Sequence, residues 1–384
     1  MTELSMTELK NLRVDHVGSL LRPQSLIDAF LARGRGEIGE DALTAAQDAA
    51  IRAVVAKQEE IGLPVVSDGE YRRLNWQVSF SEVEGWDQWE GSWRAFLASP
   101  TNMMEGEKPG TRGADAVEHF KAPATGRLTL RRNAPLDEFL FLEEVATAPA
   151  KVMLMGPDRV SQMCDLENSA PWYSDRQAFL DDVAAIQNRM VGEIVAAGCP
   201  YVQLDEPSYT GYVDRATLER MAARGEDPVA NLRNAVAASN AAIEGHRGKA
   251  CFGLHICRGN RASMWHREGT YDGIAEFLFA SLKFDRLLLE YDTERAGGFE
   301  PLRFVPKGGP TVVLGLITTK TGALEDADAL IARIEDAARF IDIGQLAISP
   351  QCGFASGIGG NRLSEDEQWR KLEVMLAVAE RVWG

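Results

Sequence analysis

The chain has 384 residues, 45% hydrophobic and 26% charged, the composition of a folded globular protein and not of a disordered or fibrous one. Its 41 Lys and Arg against 57 Asp and Glu leave a net charge of −16, which opposes binding to a phosphate backbone, and no local basic patch reverses the sign. No stretch approaches 18 continuous apolar residues and the N-terminus lacks a basic flank before an apolar core, so neither a membrane span nor a signal peptide is expected.

Short apolar or β-branched runs recur along the chain, most of them ending in a polar or glycine-containing turn. In order they are Val14–Val17, Pro64–Val66, Val152–Met155, Tyr201–Leu204, Cys251–Leu254, Leu287–Leu289, Val312–Ile317 and Leu346–Ile348. Runs of this kind suit strands buried on both faces, as in a parallel sheet. Between them lie stretches with helical periodicity: Ala42–Ile61, Asp175–Ala197, Pro228–Glu244, Tyr271–Leu282, Ala323–Ile341 and Ser364–Trp383. Ser364 with Glu367 forms a capping-box pattern, and Ser174–Asp175 opens another helix. Eight alternating units predict an α/β fold of the closed (β/α)8, or TIM-barrel, kind, with residues 1–384 forming one catalytic domain.

A plain barrel needs about 250 residues. Most of the surplus falls between the second and third strands, an insertion of about 71–150 that holds Trp76, Trp86, Trp89 and Trp93. Two readings stand together: the tryptophans pack on the barrel rim, and the segment forms a lid or substrate wall, since loops after barrel strands build the active-site face.

The fifth strand ends in His255-Ile256-Cys257, and residues two apart on an extended segment face the same way. Alone the pair is weak, because a buried His and Cys often meet by chance. Cys352 after the eighth strand and Glu290 at the end of the sixth add metal-ligand types at the same end of neighbouring strands. Two thiolates, an imidazole and a carboxylate suit tetrahedral Zn2+ and disfavour magnesium or calcium. Zinc in such a set lowers the pKa of a bound thiol, which points to alkyl transfer to sulfur; zinc-bound water would prefer His and carboxylate ligands. The remaining cysteines, Cys164, Cys199 and Cys251, read as buried apolar fillers, and five sparse cysteines point to a reducing, cytoplasmic setting.

Six motifs then occur in order: Asp15–Pro23 (DHVGSLLRP), Ser67–Glu70 (SDGE), Gln203–Pro207 (QLDEP), His255–Asn260 (HICRGN), Leu289–Asp292 (LEYD) and Ser349–Gly353 (SPQCG). Together they resemble the catalytic, C-terminal half of cobalamin-independent methionine synthase, and more closely its short single-barrel relatives. The resemblance implies zinc held by His255, Cys257, Glu290 and Cys352. It also implies homocysteine held by Gly18, Ser19, Glu70 and Asp205, the carboxylates meeting the ammonium and backbone amides near Ser19 meeting the carboxylate. Glu206 has two readings, substrate contact or a rim salt bridge.

The pattern departs from the long enzymes on the methyl-donor side. There is no room for their N-terminal barrel, Met163 stands where they carry a pterin-contacting tryptophan, and Lys320 stands near their histidine proton donor. Lys320 could protonate a leaving nitrogen, bind an anionic donor group, or be a solvated loop lysine. The implied donor is 5-methyltetrahydrofolate or another methyl carrier, including a methyl-carrier protein. Alternative functions are zinc-assisted alkyl transfer to a different thiol, as in an epoxyalkane:coenzyme M transferase, and a non-catalytic zinc-binding barrel. Arg258, Arg261 and Arg295 are open between anion binding and local pairing. His16 could line the pocket, whereas His119, His246 and His266 read as surface or helix-end residues. The glycine-rich Gly357–Gly360 follows no strand-to-helix phosphate pattern.

Overall fold

The computed structural model describes residues 4–86, 93, 96–97, 103, 106–114 and 121–384. A short antiparallel pair, β1 (Val83–Glu84) and β2 (Thr129–Leu130), precedes a parallel ladder in chain order: β3 (Lys151–Met155), β4 (Tyr201–Asp205), β5 (Cys251–Ile256), β6 (Arg286–Glu290), β7 (Thr311–Ile317) and β8 (Leu346–Pro350). Every residue of these six strands is buried, which is why they read as nearly unbroken apolar runs.

The first two expected strands are present only as single bridges. Val14 pairs in parallel with Ile348 of β8, and Val66 with Ala150 beside β3, so the two segments close the open edges of the ladder into a (β/α)8 barrel. Between them, mixed side-chain and backbone bonds stand where a ladder would run. Ser67 Oγ donates to Gly18 O (2.6 Å), Leu20 N donates to Gly69 O (3.1 Å), and His16 Nε2 lies 3.2 Å from Val65 O. Pro64 has no N–H to offer a ladder, and Gly18 turns the chain out of extension at φ +127°.

The predicted helices form at Glu40–Glu60, Arg176–Ala196, Pro228–Ala242, Ala275–Ser281, Ala327–Ala337 and Glu365–Trp383. Asp175 and Ser364 cap two of them, the latter through the full capping box with Glu367. Helices also form at Gln24–Gly34, Ala134–Val145, Pro157–Gln162 and Arg215–Ala223, where the periodicity is short or weak. The helix Ala134–Val145 packs on Glu40–Glu60 and on β3, the place of a regular outer helix, so the surplus chain runs from 71 to 133. There Trp86 is buried with its Nε1 donating to Ala122 O (2.9 Å), and Trp93 packs on Phe30 and Phe96. Trp89 lies outside the described residues. Among the described residues, no helix is long and apolar enough to cross a membrane.

Strand alternation sorts the barrel interior into layers. At the floor, Asp15 accepts from Lys151 Nζ (2.6 Å), Arg286 Nε (2.9 Å) and Tyr201 Oη (2.8 Å), all fully buried. The helix Met6–Lys10 closes this end, since Arg286 donates to the carbonyls of Leu9, Lys10 and Leu12. Gly253 leaves room for this layer: a Cβ there would lie 2.7 Å from Tyr201 Oη. Continuing in steps of two, the same parity carries Tyr201 to Asp205, Gly253 to His255 and Cys257, and Arg286 to Glu290 at the opposite mouth.

Candidate metal centre

His255, Cys257 and Cys352 are all buried, and one donor atom from each lies within 4.8 Å of the other two. Neither ring nitrogen of His255 hydrogen-bonds a nitrogen or oxygen atom, and the Cys257 thiol is its neighbour. A buried imidazole with only a weakly bonding thiol beside it is poorly satisfied, so a cation taking one of these nitrogens fits the surroundings. The two thiols differ sharply. The neighbouring Cys352 thiol and the His255 imidazole hold Cys257 well below the usual thiol range, while the same thiol pair and burial push Cys352 well above it. Burial alone would lower His255, but Cys257 beside it, with Asp205 and Glu290, carries it upward. The cluster therefore offers an imidazole nitrogen and two cysteine sulfurs, a donor set matched to a soft divalent ion. Cys199 and Cys251 contrast with it, because burial pushes both to about 12.

Glu290 stands beside this group without belonging to the three. Its Oε2 accepts the backbone N–H of Arg258 (2.6 Å), and its Oε1 has no hydrogen-bond partner. Arg295 Nη2 lies 3.7 Å and Lys320 Nζ 4.0 Å from Oε1. Burial raises Glu290 above its ordinary value against the pull of Lys320.

On the other side, Asp205 accepts from Gln203 Nε2 (2.6 Å), and burial lifts it to about 6 against the opposing His255. Glu70 is lifted to about 8 by burial, with Arg73 opposing and Asp205 adding to the rise. It sits at φ +60°, an uncommon conformation for a non-glycine residue. The turn is secured by Glu70 N donating to Asp68 Oδ1 (2.8 Å) and by Arg22 Nη2 donating to Glu70 O (2.6 Å). Glu70 Oε1 accepts from Arg73 Nη1 (3.2 Å), while Oε2 is buried without a partner. Ser19 faces Gly353, where any Cβ would run into the Ser19 hydroxyl, and Ser19 O accepts from Phe354 N (2.9 Å).

Glu206 turns away from this group. Its two carboxylate oxygens accept the backbone N–H groups of Asp158 (2.9 Å) and Arg159 (3.0 Å), and the Ser208 hydroxyl donates to it as well. It serves the start of the helix Pro157–Gln162, where both of its oxygens are engaged. Lys320 is not a solvated loop lysine: it is buried, with its ammonium lying between Glu290 and Asp292. Of the arginines, Arg261 pairs with Glu107, Arg258 stacks on Tyr271, and Arg295 stacks on Trp265. His16 is buried and held to about 4, chiefly by burial, so it stays neutral. His266 Nδ1 lies 3.3 Å from Gly113 O, beneath the insertion, and His119 lies outside the described residues.

A buried amide network joins three mouth loops. Asn260 Nδ2 donates to Thr319 Oγ1 (2.9 Å) and Gly353 O (2.8 Å), Thr319 Oγ1 donates to Gln351 Oε1 (2.7 Å), and Asn361 Nδ2 donates to Asn260 Oδ1 (3.1 Å) and Thr319 O (2.9 Å). Asn361 follows the glycine-rich Gly357–Gly360 directly; its signal in the sequence is a lone Asn that only the closed barrel brings to Asn260. The insertion covers the loop after β5: Gly110 N donates to Ser263 O (3.0 Å), Gly113 N to Trp265 O (2.8 Å), and Arg112 pairs with Asp214 (2.9 Å).

Residues 121–381 match the family model described as the catalytic domain of cobalamin-independent synthase. The chain belongs to the cobalamin-independent methionine synthase family. It is 36% identical over 372 residues to the uncharacterized Bacillus subtilis protein YxjH, covering 97% of this chain and 94% of that one. It is also 26% identical over 349 residues to a methionine synthase of Pyrococcus abyssi, covering 90% and 87% of the two chains. A solved Listeria monocytogenes structure, assigned as a vitamin-B12-independent methionine synthase, superposes with a TM-score of 0.72 at 29% identity, covering 97% of this chain and 98% of that one. Methyl transfer to homocysteine is the activity of that family, and its substrates are small molecules.

Proposed function

We propose that the protein is a zinc-dependent methyltransferase that moves a methyl group onto the thiol of homocysteine to form methionine. The observation that carries this reading is the buried His255, Cys257 and Cys352 cluster at the barrel mouth, whose donor atoms lie within 4.8 Å of one another. His255, Cys257 and Cys352 would hold the ion, with Glu290 as the fourth and most readily yielded ligand. When bound, zinc lowers the pKa of a substrate thiol and keeps it as a nucleophilic thiolate at neutral pH.

The chain's own residues supply the rest. Glu70 Oε2, buried without a partner, and Asp205 offer two carboxylates to the substrate ammonium, and the Gly18–Ser19 segment is tied to the Glu70 turn through Ser67 Oγ to Gly18 O and Leu20 N to Gly69 O. Arg73 fixes Glu70 and is itself held by Glu138 (2.6 Å). Two carboxylates beside the thiol site favour an amino-acid thiol over an anionic one such as coenzyme M, because an ammonium compensates them and a sulfonate repels them. The methyl donor is a methylated folate or a methyl-carrier protein.

Metal analysis of purified protein should find about one zinc per chain, lost in Cys352→Ser. Incubating the zinc-loaded protein with homocysteine and each candidate donor, and following methionine by mass, tests the reaction. Zinc absent from both wild type and variant would overturn the site, and turnover with coenzyme M in place of homocysteine would overturn the substrate.

A further inference from the structure

Four charged side chains meet just outside the soft ligand group without satisfying one another. Glu290 Oε1, both carboxylate oxygens of Asp292, Lys320 Nζ and Arg295 Nη2 all lack hydrogen-bond partners. The separations are 3.7 Å and 3.8 Å from Arg295 Nη2 to Glu290 and Asp292, and 4.0 Å and 3.8 Å from Lys320 Nζ to the same pair. The side chains of Glu290 and Asp292 are fully buried, and those of Lys320 and Arg295 are 6% and 18% exposed. Buried charges at ion-pair but not hydrogen-bond distance mark a site where a carboxylate can tighten its contacts by a small movement.

We infer that Lys320 and Arg295 form a receiving berth for the Glu290 carboxylate, taking it up when a substrate thiol occupies its place at the metal. This rests on the proposed zinc and thiol chemistry and adds to it the residues that make the exchange favourable. A thiol taking that place would give up its proton to solvent and stand as a thiolate, so one anionic ligand would replace another. The expelled carboxylate is then buried, and without a cation it would be an uncompensated charge. Oε2 is already anchored on the Arg258 N–H, so Oε1 can change partners while the side chain stays in place. Asp292 shares both cations and keeps them compensated while Glu290 is on the metal. Lys320 and Arg295 are accordingly positioning residues, and Lys320 acts on the ligand set before any role in proton transfer.

The test uses the full chain loaded with cobalt(II) and reads two quantities: cobalt retention against a chelator, and the homocysteine Kd from the sulfur-to-cobalt absorption. Lys320→Met removes the berth's nearer-buried cation, so Glu290 should stay on the metal. Cobalt is then retained at least as tightly as in wild type, while the homocysteine Kd rises about tenfold or more. In a Glu290→Gln background, Lys320→Met should leave the homocysteine Kd unchanged. Arg295→Gln, nearer the surface, carries the same pair of expectations should Lys320→Met not fold. Loosening of metal and thiol together, or an undiminished Lys320→Met effect in the Glu290→Gln background, would overturn the berth. A wild-type protein whose cobalt spectrum ignores homocysteine would instead overturn the underlying reading.

Discussion

Gly353 follows Cys352 and faces Ser19, which makes Gly353→Ala a sharp probe of how the ligand turn is held. The added Cβ would lie 3.1 Å from Ser19 Cβ and far inside van der Waals contact distance of Ser19 Oγ. The backbone on both sides is pinned, and rotating the Ser19 hydroxyl away would still leave the tight Cβ–Cβ approach. Gly353 O accepts from Asn260 Nδ2 (2.8 Å), and Phe354 N donates to Ser19 O (2.9 Å). The variant must lose one or two buried hydrogen bonds at about 1 kcal/mol each, or accept overpacking of about 1–3 kcal/mol. A ligand position tolerates only about 0.2 Å of error, so much of that strain falls on metal affinity. At about 2 kcal/mol the loss is roughly 30-fold. Competition against a chromophoric zinc chelator measures it directly. Ser19→Ala removes the overlapping hydroxyl, so the double variant Ser19→Ala/Gly353→Ala should recover most of the affinity. Wild-type affinity in Gly353→Ala, or a loss that Ser19→Ala does not relieve, would refute the steric reasoning.

Three further outcomes are expected. Glu70, lifted to about 8 chiefly by burial, must ionise to receive an ammonium, so inhibition by 2-aminobutyrate, which lacks the thiol, should strengthen as pH rises toward 8 and weaken below it; Glu70→Gln should flatten that profile. For stability the sign is reversed: ionising Glu70 in the empty pocket costs stability as pH climbs from 4.5 through 8, and denaturant midpoints for wild type and Glu70→Gln should diverge over that window. Asp15→Ala leaves Lys151 and Arg286 buried without their carboxylate and should cost about 3–5 kcal/mol in urea unfolding. Burial opposes ionisation of Asp15, but Lys151 and Arg286 hold it well below 3.8, so its contribution is whole above that pH and fades as pH falls through the folded value, a fade absent from Asp15→Ala.

Much of the site was legible because strand alternation alone brings His255, Cys257, Glu290 and Asp205 to one end of the barrel. Cys352 lies two residues past β8 and still converges, because that turn is tied to Ser19 and Asn260. What stayed hidden depends on contacts between distant segments. The floor layer of Asp15, Lys151, Tyr201 and Arg286 pairs residues up to 271 positions apart, and only closure of the barrel makes partners of them. Glu206 sits next to Asp205 yet faces the opposite way, and its cap on Asp158 and Arg159 is invisible without the packing of β3 against β4. Val14–Val17 and Pro64–Val66 have strand composition, but Pro64 and Gly18 limit each to one bridge. The helix Ala134–Val145 leaves little periodic signal in the sequence because its apolar residues spread around the helix instead of forming a narrow stripe.

Zinc K-edge X-ray absorption, recorded with and without homocysteine, tests most directly whether the cluster holds a zinc ion that takes up the substrate thiol. Two sulfur neighbours at about 2.3 Å are expected in the resting protein, from Cys257 and Cys352, with nitrogen and oxygen from His255 and Glu290. Homocysteine should raise the sulfur count to three and remove the oxygen. A sulfur count unchanged by homocysteine would contradict the account.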